Sequence, residues 1–265
     1  MIDAHTHLHL SKRFPLHVIV ERALSVGVVG CVCCGCSPKD WSDLEEFVVS
    51  SDSLKIYPQF GLHPWYVKDV EQGWQVKLRD VLLRNPSAGV GEIGLDNHFK
   101  DLADFQSQMK ACEEQIEIAA ELGRTVTFHC VKAHAETVLL LKRTRFSCPF
   151  VMHSFNGSAD QVKQLLKCAS SNVYFSLGCR FVKSDVIACI PLDRVLAETD
   201  SPDQVGDHSD LCPDQLRDES NGKAVNDPSQ LPLVIDRIAK AHGITFDEAA
   251  RITRENTIRA YSLSV

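Results

Sequence analysis

No stretch of this sequence is both apolar and long enough to cross a membrane, which takes about 20 residues. Residues 1–5 also lack the basic segment and the apolar segment with which a secretory signal begins. We therefore expect neither membrane insertion nor secretion. Repeats and low-complexity tracts are absent, and charged residues (24%) and hydrophobic residues (44%) occur at ordinary globular frequencies. This composition argues against disordered and fibrous proteins.

Positive charge is scarce relative to negative charge. The 28 lysines and arginines are outnumbered by 35 aspartates and glutamates, which gives a formal net charge of −7. This balance argues against a broad basic groove that wraps duplex DNA. Contact with nucleic acid should be local, because two divalent cations bound in an acidic protein would concentrate the attraction for phosphate at one place. The net charge therefore does not exclude a nuclease.

Cysteine is abundant, but its pattern does not predict disulfides. The count of eleven is odd, and a chain of this length needs no disulfide to stabilise its core. We therefore expect free thiols in a reducing compartment, the cytoplasm, with the nucleus as the alternative. Residues 31–36 contain four cysteines, continue the apolar run 26–30 and lack the paired Cys-x-x-Cys arms of a structural zinc site. We expect core packing there, and a regulatory thiol stays open.

Short apolar runs alternate with amphipathic helical stretches along the whole chain, which is typical of a parallel α/β fold. The 265 residues are close to the roughly 250 of one (β/α)8 barrel. We therefore predict a single TIM-barrel domain over residues 1–265. The predicted strands lie near residues 2–5, 28–34, 55–60, 88–92, 125–128, 149–152, 172–176 and 194–198.

One long polar segment, residues 202–228, follows the last predicted strand. It is rich in Asp, Gly, Ser and Asn, which favour turns. Helical sequence resumes at Leu231, so we interpret the segment as a loop over the active face and not as an interdomain linker.

Residues with metal-binding side chains stand at the carboxyl ends of the predicted strands. His5 and His7 end the first strand, where alternation directs both to one side. A lone His-x-His pair in a His-rich segment is as well explained by chance as by ligation. Active sites of TIM barrels, however, are built at the carboxyl ends of the strands, where residues distant in sequence converge. The further candidates at these ends are His63, Glu92, His129, His153 and Asp200.

The mixture of these side chains indicates the kind of metal. Imidazole nitrogens together with carboxylate oxygens suit Zn, Mn or Fe, whereas Mg and Ca sites prefer oxygen ligands alone. Glu92 lies close to Gly91 and Gly94 and can bring two oxygens into the centre. One carboxylate could then bridge two cations about 3.5–4 Å apart, which is the spacing of two-metal hydrolysis.

Five motifs in order along the chain resemble the TatD family of metal-dependent deoxyribonucleases, and Thr253, Asn256 and Arg259 resemble its C-terminal block. The motifs are Asp-Ala-His-Thr-His-Leu at residues 3–8, Gly-Leu-His-Pro at 61–64, Gly-Glu-Ile-Gly-Leu-Asp at 91–96, His-Ser-Phe-Asn-Gly-Ser at 153–158 and Glu-Thr-Asp-Ser-Pro at 198–202. Each motif alone is weak evidence, but five in register over nearly the whole chain are hard to obtain otherwise. The resemblance implies a TIM barrel of the metal-dependent amidohydrolase-like type.

The resemblance also implies a reaction and a set of ligands. The reaction is removal of nucleotides from DNA in the 3′-to-5′ direction, with single-stranded DNA or 3′ ends as the expected partner. The cofactors would be two divalent ions, either Mg, Mn or Zn. By the resemblance, the first ion is held by His5, His7, Glu92 and Asp200, and the second by Glu92, His129 and His153.

The residues expected near the substrate are His63, Asp96 and Lys132. The family often has Arg two residues after the histidine of the fifth strand, where this chain has Val131. Lys132 is adjacent, but on an extended segment its side chain would point the other way. Asp96 could contact substrate, or it could cap its loop by accepting hydrogen bonds from backbone amides. Late in the chain, Asn-Asp-Pro at residues 226–228 replaces the common Asn-Glu-Pro.

Asp200 is the candidate general base of the predicted mechanism, and Glu92 is the candidate bridge. Two cations would lower the pKa of a shared water toward about 7. A carboxylate held through one oxygen can accept the proton with its other oxygen. In-line attack on phosphorus would expel the sugar oxygen, and His63 would orient or protonate near that leaving group.

Two other functions stay open. A binuclear amidohydrolase acting on a small ester, amide or phosphodiester would have the same barrel and the same first histidine pair. Many such enzymes bridge their metals through a carbamylated lysine at strand four, where this chain has Glu92. A non-catalytic barrel is the second alternative, but loss of catalysis would usually be visible as a lost ligand, and none is lost.

Overall fold

The computed structural model describes residues 1–264 apart from 12–13, 51–52, 100, 169–171, 181, 207–214 and 219. Within these residues, eight parallel strands pair in the order in which they follow one another along the chain. The predicted TIM barrel is confirmed, and each predicted strand region contains a strand. The strands are β1 (Ile2–Thr6), β2 (Gly30–Cys34), β3 (Lys55–Phe60), β4 (Gly89–Asp96), β5 (Val126–Val131), β6 (Phe150–Met152), β7 (Val173–Leu177) and β8 (Val195–Ala197).

α-Helices connect the strands and pack against the outside of the barrel. Asp104 starts the longest of those described by accepting a hydrogen bond from the amide of Ser107, and Gly123 ends it with a φ of 65°. In the part of the chain that the structure describes, the helices are α1 (Leu16–Ser25), α2 (Trp41–Ser50), α3 (Trp74–Arg84), α4 (Phe105–Leu122), α5 (His134–Thr144), α6 (Ala159–Cys168), α7 (Ser184–Ala188), α8 (Leu231–His242) and α9 (Phe246–Tyr261). Among them, none is both long enough and apolar enough to span a membrane.

β4 is longer than the sequence predicts. The predicted end lies near residue 92, but the strand continues to Asp96, which pairs with Val131 of β5. Several glycines in this segment interrupt the apolar alternation, so the pattern does not show the continuation. The pairing register also shifts between Val90 and Ile93. Glu92 therefore lies in the irregular part of the strand, next to the site.

Backbone bonds at the predicted site residues close the barrel between β1 and the segment after β8. The amide of Asp200 donates to the carbonyl of His5 at 3.0 Å, and the amide of His7 donates to the carbonyl of Ser201 at 2.7 Å. Thr6 and Ser201 form an isolated parallel bridge between these two bonds. Three of the metal-ligand candidates, His5, His7 and Asp200, thus lie at the seam of the barrel.

Three of the four cysteines of residues 31–36 are divided between two hydrophobic clusters. Cys31 and Cys33 are buried with helix residues such as Trp41 in the large cluster around the barrel. Cys34 is buried in a smaller cluster with Tyr261 at the end of α9. The predicted core packing is confirmed for these three residues, and the ten cysteines that the structure describes are all free.

The polar segment 202–228 reaches the active face where it is described. Gln204 donates a hydrogen bond from Nε2 to Oδ2 of Asp200. The side-chain amide of Asn226 donates to the backbone oxygens of Thr199 and Asp203 at 2.6 and 2.7 Å. Residues 207–214 and 219 of the predicted loop lie outside the described residues. Both ends of the segment are thus attached to the carboxyl end of β8.

Gly94 lies where β4 passes closest to β5. Its φ is 147°, and a Cβ atom there would lie 2.0 Å from the carbonyl oxygen of His129. We expect Gly94→Ala to destabilise the protein by about 2–4 kcal/mol, because the strained backbone and the clash add. Chemical denaturation measures the loss against Gly123→Ala, which also has a positive φ (65°) but no atom within 4 Å of the new Cβ. If both variants lost the same free energy of unfolding, the close contact with β5 would not be the reason for glycine at position 94.

Candidate metal centre

The carboxylate of Glu92 is buried, and its two oxygens face different imidazole groups. Oε2 lies 3.4 Å from Nε2 of His5 and 3.1 Å from Nε2 of His7. Oε1 lies 2.7 Å from Nδ1 of His129 and 2.8 Å from Nε2 of His153. The structure therefore brings five of the predicted ligands together, with one carboxylate between two pairs of histidines.

Asp200 completes the group on the Oε2 side. Its Oδ1 lies 3.4 Å from Nε2 of His5 and 3.7 Å from Nε2 of His7. Asp200 has a φ of 59°, a left-handed conformation in which Asp is enriched relative to most residues. All the predicted ligands thus converge, and donor atoms of His5, His7 and Asp200 lie within 4.8 Å of one another.

The hydrogen bonds of His7 show why this group suits a cation. Nδ1 of His7 lies 2.7 Å from the backbone oxygen of Cys34. Because that oxygen can only accept, Nδ1 carries the proton and Nε2 of the neutral ring carries a lone pair. This lone pair faces Nε2 of His5 at 3.1 Å and the oxygens of two carboxylates. Lone pairs at such distances repel one another unless a proton or a metal ion lies among them. Ligands that combine imidazole nitrogens with carboxylate oxygens fit Zn or Mn.

Carboxylates behind the histidines complete the group on the Oε1 side. Nε2 of His129, on the far side of its ring from Glu92, lies 3.3 Å from Oδ2 of Asp96. Nδ1 of His153 likewise lies 3.3 Å from Oε1 of Glu198. An outer carboxylate fixes the tautomer and the orientation of a histidine that binds metal through its other nitrogen. Both histidines therefore have the surroundings expected of metal ligands.

Asp96 caps its own loop as well as supporting His129. Oδ1 accepts hydrogen bonds from the amides of His98 and Phe99 at 2.8 and 3.2 Å. Oδ2 accepts one from Nε1 of Trp65 at 2.7 Å, and the residue is fully buried. Of the two roles that the sequence leaves open for Asp96, this geometry favours the cap over contact with substrate.

His63 also lies beside Glu92, but the nitrogen that it turns toward Glu92 carries a proton and not a lone pair. Nδ1 of His63 accepts a hydrogen bond from the amide of Trp65 at 3.2 Å, so in the neutral ring Nε2 carries the proton. Nε2 lies 3.4 Å from Oε1 of Glu92. Burial lowers the pKa of His63 to about 4, although Glu92 opposes this effect. His63 is therefore neutral near pH 7 and offers an N–H donor to the centre, even though its position alone would also allow metal binding.

The chain leaves the extended conformation at Lys132, which has a φ of 51°. The in-and-out alternation of β5 therefore stops before Lys132. The prediction that the Lys132 side chain points away from the centre is wrong, because it assumed an extended backbone at this residue. Nζ of Lys132 lies 3.0 Å from Nδ1 of His98. Lys132 also lines a pocket of about 90 Å³ together with His153 and Asn156. Lys132 and His153 thus line the same pocket.

Protons occupy the histidines readily in the absence of metal, because carboxylates surround them. Burial is the largest single effect on His153 and disfavours its imidazolium form, but Glu92 and Glu198 together overcome it and raise the pKa of His153 to about 9. Burial is also the largest single effect on Glu92 and disfavours its charged form, but His153, His63 and His129 together overcome it and hold the pKa of Glu92 well below its ordinary value. The same negative charge attracts protons and divalent cations, so the two compete for the site.

Cys34 is a residue of the site that sequence reasoning missed, because the apolar run around it indicates only core packing. Its thiol lies 3.4 Å from Nδ1 of His5, and its backbone oxygen binds Nδ1 of His7. One residue of β2 therefore supports both His5 of β1 and His7, which directly follows β1. No pattern within a single strand reveals a contact of this kind, which depends on the pairing of β1 with β2.

Asp3 and Glu198 are buried acids that also hold the ligands in place. Asp3 accepts hydrogen bonds from the amide of His5 at 3.3 Å, and from the amide and hydroxyl of Thr199 at 3.0 and 2.6 Å. It thereby ties β1 to the segment that carries Asp200. Asp3 and Glu198 stand two positions before a predicted ligand, so the two-residue period of an extended chain is the signal that could have found them.

The model of the family described as "TatD related DNase" matches residues 2–262. The chain belongs to this family. The "Uncharacterized metal-dependent hydrolase YabD" of Bacillus subtilis is 28% identical, and the match covers 100% of both chains. The "3'-5' ssDNA/RNA exonuclease TatD" of Pantoea vagans is 25% identical, with 93% of each chain covered. A TatD homologue of Escherichia coli has the same fold, with a TM-score of 0.85 at 24% identity over 100% of this chain and 98% of that chain.

Membership of the TatD family confirms the predicted resemblance and agrees with the geometry. The chain is a metal-dependent hydrolase of this family. Its histidine, glutamate and aspartate groups are suited to metal binding. The amidohydrolase alternative is not favoured, because Glu92 occupies the position between the two histidine pairs where that alternative expects a carbamylated lysine.

Metal binding should release protons from the TatD centre. The pKa of His153 is raised to about 9 in the metal-free protein, so this ring is protonated near neutral pH and must lose its proton to bind a metal. We expect at least one proton to be released per chain, and the apparent affinity for Zn²⁺ to fall as the pH falls. Calorimetry of the metal-stripped protein in buffers with different ionisation enthalpies measures this release. Binding heats that do not depend on the buffer would contradict the expectation.

Glu198→Gln should weaken metal binding by about 10- to 100-fold, the usual effect of losing an outer partner. Glutamine keeps an oxygen for the amide of Ser154, which now donates to Oε1 at 2.6 Å, but it loses the charge beside His153. Competition with a zinc-binding dye measures the affinity. The control is Glu255→Gln, which removes a surface carboxylate paired with Arg251 and should change nothing. Unchanged affinity in Glu198→Gln would show that Glu198 does not support His153.

Proposed function

We propose that this protein is a 3′-to-5′ exodeoxyribonuclease that hydrolyses phosphodiester bonds at single-stranded 3′ ends with two divalent metal ions. The observation that carries the proposal is the position of Glu92, whose two oxygens face two separate groups of metal-binding side chains. Two-metal hydrolysis of phosphodiesters needs a bridging ligand of this kind.

The donor set supports two ions of the Mg, Mn or Zn type. One would be held by His5, His7, Asp200 and Oε2 of Glu92, and the other by His129, His153 and Oε1 of Glu92. When bound, such ions neutralise charge on phosphate oxygens and make water a nucleophile near neutral pH. The protein's own residues then have to orient the substrate and move the protons.

Asp200 is placed to accept the proton of the attacking water. Its Oδ1 faces His5 and His7, while Oδ2 points away from them toward the amide of Gln204. The carboxylate can therefore be held through one oxygen and receive a proton on the other. Gln204 donates to Oδ2 and thereby fixes the orientation of the carboxylate.

His63 and Lys132 supply donors to the substrate. Neutral His63 presents its Nε2–H to the centre, so it orients a phosphate or leaving-group oxygen by a hydrogen bond and does not act as a cationic acid. Lys132 provides a positive charge on the side of His153. It can take the place of the arginine found in many relatives, although it binds phosphate through one ammonium group and not through a bidentate fork.

The choice of single-stranded DNA rests on the relatives and on charge. The relative from Pantoea vagans is named a 3′-5′ ssDNA/RNA exonuclease. A net charge of −7 provides no extended basic surface for a duplex, so binding has to depend on the few contacts around one strand end. A narrow site for one strand end fits both facts.

Single-stranded DNA labelled at the 3′ or the 5′ end tests the proposal. Metal-stripped protein is resupplied with Mg, Mn or Zn, and mononucleotide release is followed over time, with single-stranded RNA as a parallel substrate. We expect metal-dependent shortening from the 3′ end, no activity in Glu92→Ala, and turnover lowered about 10²- to 10⁴-fold in Asp200→Asn through loss of the general base.

The possible failures of this experiment are distinct. No cleavage of DNA or RNA with any metal would overturn the nuclease proposal while leaving the metal centre intact. Preferred cleavage of RNA would replace the substrate but keep the reaction. Normal turnover in metal-loaded Asp200→Asn would remove Asp200 from the role of base.

A further inference from the structure

A cavity of about 500 Å³ lies beside the metal centre, between the segments that follow β1, β2 and β3. Its volume is within the range of about 300–1,000 Å³ that is usual for small-molecule sites. Apolar lining comes from Leu10, Val70 and the buried Trp74. Tyr66 contributes an aromatic ring that is 42% exposed. The cavity therefore offers a ring to stack on and apolar walls.

On two sides of this cavity, the lining residues are in contact with residues at the metal centre or next to it. The ring centroid of Tyr66 lies 6.1 Å from that of His63. On the other side, Asp40 accepts hydrogen bonds from the amide of Cys36 at 2.9 and 3.1 Å, and the thiol of Cys36 lies 3.5 Å from Nδ1 of His7. The cavity is thus linked to the metal centre through His63 on one side and Cys36 on the other.

The charges around the cavity disfavour a phosphate group inside it. Its charged lining residues are Asp40, Asp69 and Glu71 against Lys39 and Lys77, and Lys77 is paired with Glu71 at 3.1 Å. The excess of carboxylates repels phosphate. An uncharged group with N–H donors, by contrast, finds acceptors there.

Asp40 has capacity for one more hydrogen bond. Among the described residues, Oδ1 accepts from the amides of Cys36 and Ser37, while Oδ2 accepts from the amide of Cys36 alone. Nε2 of His9 approaches Oδ2 no closer than 3.9 Å. A carboxylate oxygen accepts two hydrogen bonds, so Oδ2 can take a donor from a ligand.

We propose that this cavity holds the nucleobase next to the phosphodiester at the metal centre, an inference that rests on the proposed nuclease function. Tyr66 stacks on the base, while the sugar and phosphate stay outside the cavity. Asp40 accepts a hydrogen bond from the exocyclic amino group that adenine, cytosine and guanine have and thymine lacks. Thymine offers only its N3–H, which lies between two carbonyl oxygens that repel the carboxylate, so the enzyme favours amino-bearing bases over thymine at this position.

The kinetic test compares oligo(dA) and oligo(dT) as substrates of the metal-loaded enzyme. We expect a lower KM for oligo(dA). Tyr66→Ala should raise the KM for oligo(dA) about 5- to 150-fold, the equivalent of losing one stacked base, with a smaller change in kcat. Tyr66→Phe should restore the low KM because it keeps the ring. Val76→Ala is the matched control, since Val76 is an exposed residue of α3 that does not line the cavity.

A binding test measures the stacking of a base on Tyr66 independently of catalysis. The probe is a dinucleotide with a hydrolysis-resistant phosphorothioate linkage and 2-aminopurine as one base, whose fluorescence is quenched by stacking. We expect quenching by the wild type and by Tyr66→Phe, and its loss in Tyr66→Ala.

The two tests separate the possible failures. Cleavage with unchanged KM in Tyr66→Ala and unchanged quenching would overturn the cavity proposal and keep the nuclease function. Quenching that depends on Tyr66 without any cleavage would keep the cavity and overturn the nuclease function. Equal KM values for oligo(dA) and oligo(dT) would remove the role of Asp40 in selecting the base.

Discussion

The carboxyl end of this barrel depends on one constraint, which is the burial of the negatively charged carboxylate of Glu92 among histidine side chains. Glu92 is costly to remove from water unless partners surround it on both sides. Four histidines do so, and these in turn are held from behind by Cys34, Asp96 and Glu198. The outer residues are needed only because they orient the histidines, and the histidines are needed there because they surround Glu92. The TatD centre is therefore a property of the whole barrel end, because every strand pair that shifts would leave some group uncompensated.

The strands and the metal ligands could be predicted because both depend on local sequence. Alternation of apolar runs and helical stretches predicts the barrel, and ligands such as His129 and His153 stand in or just after the carboxyl-terminal half of a strand, where this fold builds its sites. The remaining features depend on conformation or on contacts between strands. The φ of 51° at Lys132 redirects its side chain, the amide of Trp65 sets the tautomer of His63, and Cys34 reaches His5 only through the β1–β2 pairing. None of these leaves a periodic signal in the sequence.

The acidic surface and the proposed nucleic-acid substrate are compatible because recognition is divided between two places. The backbone of a strand would be bound at the metal centre by the proposed cations, with the help of Lys132 in the neighbouring pocket. The base would be bound in a cavity whose carboxylates repel phosphate. Such a division lets a protein of net charge −7 bind one end of a strand without attracting the rest of it.

The seam of the barrel has a consequence for biosynthesis. His5 and His7 are synthesised long before Asp200 and Ser201, the residues with which their backbone atoms pair. A nascent chain therefore cannot close its barrel or gather its ligands until residue 201 of 265 has been added and has emerged. Shorter chains, including those from interrupted translation, carry the first histidines without their acidic partner. A hydrolase assembled in this way stays inert until the segment that carries Asp200 has been made.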